Sequence, residues 1–184
     1  MLERAHLTVS SHLEELSTVQ RWFRLLVARL ATENPWIDEQ FNQLNLALAE
    51  GFTNAVRHAH ADLPANTPID IELSLHPERV ELRIFDRGAP FDPDSLSEPV
   101  AGSLREGGYG WFLLRRLADR VSYDCLPRQG QNQGQNQGPI CALSQLKRDR
   151  ADEMRKPQSM DRSIDRSMDD PRNCLRIVKT AKAV

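Results

Sequence analysis

The sequence predicts an α+β fold, helices laid on a mostly antiparallel sheet, and three patterns carry that prediction. Two early stretches repeat apolar residues at three- and four-residue steps, as amphipathic helices do. Two later stretches alternate apolar and polar residues and are separated by a Pro-Glu-Arg turn, the signature of an antiparallel hairpin with one buried and one wet face. A third helical stretch and two further short strand patterns follow. With 184 residues and 40% hydrophobic content, one core is expected, as a single domain with extensions.

In chain order, a short strand is expected over 6–9. Ser11 and Glu14 then make an S-x-x-E capping box ahead of Leu13, Leu16, Val19, Phe23, Leu26, Val27 and Leu30, a first helix ending near Ala31. Asn34-Pro35 is a break, and Asp38 is the expected N-cap of a second helix running to about Ala61. Its buried stripe is Phe41, Leu44, Leu48, Phe52, Ala55 and Ala59. A proline-bearing loop precedes the hairpin, in which Ile69, Ile71, Leu73 and Leu75 alternate with polar residues, and Val80, Leu82 and Ile84 alternate with Glu81 and Arg83. Residues 121–126 read as a strand, and Leu175, Ile177 and Val178 as a last one, pairing with it. Between them, 127–172 begins with the low-complexity GQNQGQNQG and continues charged and nearly free of large apolar residues, which predicts a disordered insertion outside the 1–126 plus 173–180 domain.

The net charge of −2, with both signs evenly mixed, argues against a nucleic-acid surface. Three cysteines, Cys125, Cys141 and Cys174, are odd in number and lack metal-ligand spacing, which fits a reducing compartment. The first ten residues hold no apolar signal region, and no apolar run is long enough to span a bilayer, so a cytoplasmic protein without membrane contact is expected.

Three places break the structural patterns. Glu50 and Asn54 are four apart on the second helix, off its buried stripe, with Gly51 between them and Arg57 and His58 one turn on. A carboxylate and a carboxamide stacked in this way can hold a hard cation and a water or hydroxyl, or can simply be a solvated helix face. Asp86 continues the buried parity of Val80, Leu82 and Ile84, so it either meets a ligand or caps the Arg87-Gly88 turn. Gly88 permits close backbone approach or a positive φ. Gly107-Gly108-Tyr109-Gly110 opens the third helix, leaving its first N–H groups reachable by an anion, unless it is only a flexible connection.

In that order, E-x-x-x-N on a helix, D-x-G at a strand end and G-G-x-G before a helix resemble the histidine-kinase-like ATPase superfamily of gyrase, heat-shock chaperones, histidine kinases and mismatch-repair ATPases. EGFTNAVRHAH, FDRGAPFDP and EGGYGWFLLRRLADRVSY are most similar to the bacterial anti-sigma factor serine/threonine kinases. The resemblance implies a two-layer sandwich of the Bergerat type, a sheet covered on one face by helices, using ATP and magnesium. It implies Glu50 as general base, Asn54 as magnesium ligand and Asp86 as acceptor for the adenine amino group. Gly88 would let the base lie close to the backbone, Gly107, Gly108 and Gly110 would wrap the phosphates, and 91–106 would be a short lid. Arg57 would contact a phosphate oxygen or remain a surface charge, and His58 is expected to be structural.

The resemblance further implies an anti-sigma factor antagonist as protein substrate, a sigma factor as second partner and a possible homodimer. The function expected is therefore ATP-dependent serine phosphorylation of the antagonist. The alternative is a non-catalytic module that uses ATP to set its shape while sequestering a partner. Glu50 favours the first, since a pure binder needs no base there. A histidine kinase is disfavoured because no phosphoacceptor helix precedes the domain, and a gyrase-like ATPase because no chain remains for a transducer domain.

Overall fold

The computed structural model describes residues 3–95, 109–126 and 172–181. Five antiparallel strands form one sheet in the order β1-β2-β3-β5-β4: β1 Glu3–Ser10, β2 Pro68–His76, β3 Arg79–Asp86, β4 Arg120–Leu126 and β5 Arg172–Thr180. The helices are α1 Leu16–Leu30, α2 Trp36–Glu39, α3 Phe41–Asn54 and α4 Tyr109–Leu117. Register puts Leu7, Ile71, Ile84, Leu175 and Tyr123 directly opposite one another across all five strands. Opposed residues share a face, so this row and its neighbours make one apolar surface. The helices α1, α3 and α4 pack their own apolar residues onto it in a single core. No helix among the described residues is long and apolar enough to cross a membrane.

Helix α3 rests on the sheet through Leu44, Leu48 and Phe52, all essentially inaccessible. Each such side chain contributes roughly 1.5–3 kcal/mol on burial. Gly51 lies on the same stripe, and a Cβ there would come within 2.5 Å of Ile84 Cδ1 and 2.9 Å of Leu175 Cδ2, so its lack of a side chain sets how closely the helix approaches. That helix–sheet distance fixes the height at which Glu50 and Asn54 stand above the strand ends.

The helix starts depart from the sequence expectation. Ser11 and Glu14 form no capping box; a 3-10 turn, Leu13–Glu15, leads into α1, and Ser11 Oγ instead lies 3.1 Å from buried His60 Nδ1. Asp38 is not an N-cap either. Pro35, with φ −56° already helical, starts the separate short helix α2 three residues earlier, and Asp38 falls inside it. Helix α3 then begins after Gln40, whose carbonyl accepts from Leu44 N–H at 3.0 Å.

The end of α3 matters more for the site. Past Asn54 the chain widens into a π-helical turn, Ala55–Ala59, closed by His60 N–H donating to Ala55 O, five residues back, at 2.8 Å. Each residue there stacks under the one five before it rather than four. His60, 3% exposed, therefore takes the buried place beneath Ala55 that the regular α-helical period assigns to Ala59.

The helix-free sheet face also differs from expectation. Glu81, read as a wet-face residue, is 2% exposed. It accepts hydrogen bonds from Arg83 Nε and Arg176 Nη2, each at 2.6 Å. Burial works to raise its pKa, but the hydrogen bonds from Arg176 and Arg83 outweigh it and hold the carboxyl below its usual range.

Strand β5 pairs with β4 as expected, and also inserts between β4 and β3. It begins at Arg172, the last residue of the span read as an insertion; the rest of that span lies outside the described residues.

Candidate functional site

Between α3 with its π-turn, the end of β3 and the first turn of α4 lies a cavity of about 490 Å³, lined by Asn54, Asp86, Phe91, Gly110, Trp111 and Tyr123 among others. Glu50 and Asn54 are half-buried, one turn apart on α3. Gly110 rests on both: a Cβ there would lie 3.0 Å from Glu50 Oε2 and 3.2 Å from Asn54 Oδ1. Helix α4 starts at Tyr109, so Gly110 sits within its first turn rather than ahead of it. The first N–H groups of a helix have no partner inside it and form its positive dipole end. The positive end of a helix thus faces a carboxylate and a carboxamide.

These oxygens suit a hard cation. Among the described residues no cluster of three or more His, Cys, Asp or Glu side chains is arranged to cage a metal. An ion at Asn54 must therefore complete its shell with waters and phosphate oxygens, which is how magnesium is usually held with nucleotides. The residues present fit magnesium and phosphate together.

Asp86 is 3% exposed and takes up one of its two expected roles, the turn cap. Its Oδ1 accepts from Gly88 N–H at 3.0 Å, capping the turn, and from Asn173 Nδ2 at 2.8 Å; Oδ2 accepts from Tyr123 O–H at 2.9 Å. Asn173 Nδ2 also donates to Gly88 O at 3.0 Å, tying the turn to β5. Asp86 also lines the cavity, and a carboxylate oxygen accepts more than one hydrogen bond, so Oδ2 can receive a ligand N–H as well. Gly88 is required by close approach, not by a positive φ: a Cβ would fall 2.2 Å from Ala59 O in the π-turn.

Phe91 meets Trp111 edge-on, with centroids 6.4 Å apart, and Tyr123 at 5.8 Å, giving the cavity an aromatic wall. Arg115 lies over the Trp111 ring at 5.5 Å. Such a wall suits a planar base. Sequence reading did not single out Tyr123, Asn173, Trp111 or His60. The β5 register, had it been known, would have shown Asn173 directly opposite Asp86.

Of the other expected site residues, Arg57 is exposed and does not line the cavity, whereas His58, expected to be structural, is exposed and lines it. Gly107, Gly108 and residues 96–106 of the expected lid lie outside the described residues.

Residues 9–133 match the family model of the histidine kinase-like ATPase domain. The chain belongs to the histidine kinase-like ATPase family. The match contains Glu50, Asn54, Asp86 and Gly110, and ends before β5, where Leu175 lines the cavity and Asn173 donates to Asp86. Among curated proteins the chain is similar to the serine-protein kinase RsbW of Oceanobacillus iheyensis, 35% identical over 107 residues, 53% of this chain and 66% of that protein. The RsbW of Halalkalibacterium halodurans is 31% identical over 127 residues, 65% of this chain and 74% of that one. The Bacillus subtilis RsbW is 28% identical over 106 residues, 53% and 66% respectively. The matched region of this histidine kinase-like ATPase thus spans about two thirds of these relatives.

Proposed function

We propose that this protein is an ATP-dependent anti-sigma factor serine/threonine kinase, phosphorylating an anti-sigma factor antagonist and thereby regulating a sigma factor. The observation that carries the reading is a single cavity lined by buried Asp86 and also by Asn54 and Gly110, the latter resting on Glu50. Similarity to proteins named serine-protein kinase supports the transfer reaction and the class of acceptor.

In this reading Asp86 Oδ2 accepts from the adenine amino group and repels the carbonyl that guanine presents there. The aromatic wall takes the base plane. Gly107, Gly108 and Gly110 with the start of α4 receive the phosphates. Magnesium, held by Asn54 Oδ1 with phosphate and water oxygens, supplies neutralisation of phosphate charge. Glu50 accepts the proton of the attacking serine hydroxyl as its oxygen bonds to the γ-phosphorus and the bond to the leaving ADP oxygen breaks. Its position beside Gly110 puts the base next to the phosphate-receiving helix end. Arg57, exposed and off the cavity lining, serves as a surface charge. In the same reading the protein works in the cytoplasm as a homodimer with two protein partners, antagonist and sigma factor.

Calorimetry tests the nucleotide part. Wild-type protein is expected to bind ATP with magnesium more tightly than GTP, and Asn54→Ala to lose the magnesium-dependent share of that affinity. Equal affinity for ATP and GTP would remove Asp86 from base recognition, and an unaffected Asn54→Ala would remove Asn54 from the metal.

A further inference from the structure

His60 is a buried titratable group that the proposed chemistry leaves unused. At 3% exposure both its ring nitrogens are engaged: Arg87 backbone N–H donates to Nε2 at 2.9 Å, and Nδ1 lies 3.1 Å from Ser11 Oγ. A backbone amide only donates, so Nε2 carries the lone pair and the proton is assigned to Nδ1, directed at Ser11 Oγ. Ser11 is itself anchored by its N–H to Ala65 O at 3.0 Å. Arg87 stands between Asp86 and Gly88, and Gly88 packs on the Ala59 carbonyl. Two consecutive residues of the α3 extension, Ala59 and His60, therefore grip two consecutive residues of the turn that follows Asp86.

We propose that neutral His60 is the positioning residue that sets the Asp86–Gly88 turn, so that nucleotide affinity falls when its imidazole takes up a proton. The proposal rests on the nucleotide reading above. A proton on Nε2 would place N–H against the Arg87 N–H and remove that amide's acceptor. The charged groups facing the ring come from the β3 turn: the Asp86 carboxylate, which favours the charged ring, and Arg87, which opposes it; Ser11, from the β1–α1 connection, is neutral. Burial is the largest influence and lowers the imidazole pKa below its ordinary 6.5, with Asp86 working against it and Arg87 with it. The ring is accordingly neutral near neutral pH and charges only in acid.

The test follows MgATP affinity by calorimetry from about pH 7.5 down to about pH 4.5, an interval that extends below ordinary imidazole titration, for wild type, His60→Gln and His60→Leu. Glutamine can offer Oε1 to Arg87 N–H and an N–H to Ser11, but it does not titrate. Wild type is expected to lose more affinity than His60→Gln as pH falls through the lowered ring titration, by up to about tenfold once the ring is charged, as one lost hydrogen bond implies. His60→Leu is expected to bind about three- to tenfold more weakly than wild type at the higher pH, with His60→Gln restoring most of that loss. Titration of the nucleotide itself is common to all three proteins and cancels. In wild type, the Arg87 amide resonance in ¹⁵N-labelled protein is expected to move with the His60 ring titration, a readout that needs neither nucleotide nor a variant that folds.

Parallel pH profiles in wild type and His60→Gln, or an Arg87 amide that ignores the ring titration, would overturn the proposal. If wild type bound no MgATP at the higher pH, the nucleotide reading would fail, and the amide titration alone would decide whether His60 holds the turn.

Discussion

Gly110→Ala adds one methyl group where the new Cβ would lie 3.0 Å from Glu50 Oε2, 3.2 Å from Asn54 Oδ1 and 3.3 Å from Asn54 Nδ2. The backbone at Gly110 is helical, so the substitution carries no conformational penalty. Alanine in a helix is favoured over glycine by about 0.5–1 kcal/mol, and the contacts are with side-chain ends that can give way. Net stability should change by no more than about 1 kcal/mol, or about 2–4 °C in Tm for a chain of this size. In the proposed reading, the same methyl fills the space through which a cation and a phosphate oxygen would reach Asn54 and Glu50. Losing one charge-assisted contact costs about 1.5–3 kcal/mol, roughly ten- to a hundredfold in Kd. Thermal melts and MgATP calorimetry on one preparation give both numbers. A variant that melts like wild type and also binds MgATP like wild type would refute the placement of the phosphates between α3 and α4.

Gly51→Ala should behave oppositely, because its Cβ would meet Ile84 and Leu175 in the core at 2.5 and 2.9 Å; overpacking of this kind costs about 1–3 kcal/mol, read as a lowered Tm with or without nucleotide. Glu81→Gln should lower stability near neutral pH by about 1–3 kcal/mol, since the carboxylate bonded by Arg83 and Arg176 is lost. The folded-state pKa of Glu81 lies below its ordinary 4.5, so the charged carboxylate stabilises the fold fully above that value and the contribution disappears as pH falls through the folded pKa. Melts in acid should therefore bring wild type and Glu81→Gln together, and a gap that stays constant from neutral pH into acid would contradict the carboxylate's role.

Much of the site was legible because it interrupts regular patterns. Glu50 and Asn54 stand four apart off an apolar stripe, and Asp86 carries a charge at a buried parity; period alone places both, and in the folded chain the first pair is half-buried and Asp86 buried. His60 was hidden by the π-turn, which shifts the period from four to five, so the stripe read from sequence ended on Ala59. Ser11 fitted a capping pattern, but its hydroxyl meets a histidine 49 residues away, and a local motif carries no information on such a competitor. Tyr123 and Asn173 reach Asp86 only through the register of β5 between β3 and β4, set by pairings 37 and 87 residues apart in sequence. Glu81 looked solvated because one of the arginines that pair with it comes from β5, 95 residues on in sequence.

The central claim is phosphoryl transfer, and transfer of labelled γ-phosphate from ATP to protein serine tests it most directly, with wild type and Glu50→Gln each saturated with MgATP and supplied with cell extract. The account predicts a labelled phosphoserine protein with wild type. With Glu50→Gln it predicts a rate lower by about a hundred- to ten-thousandfold at unchanged ATP affinity, since a base acts on the nucleophile and leaves the ground-state contacts in place. Full-rate transfer by Glu50→Gln would contradict the role of Glu50, and a wild type that binds MgATP yet labels no protein would contradict the kinase itself, leaving a nucleotide-set module that captures its partner without chemistry.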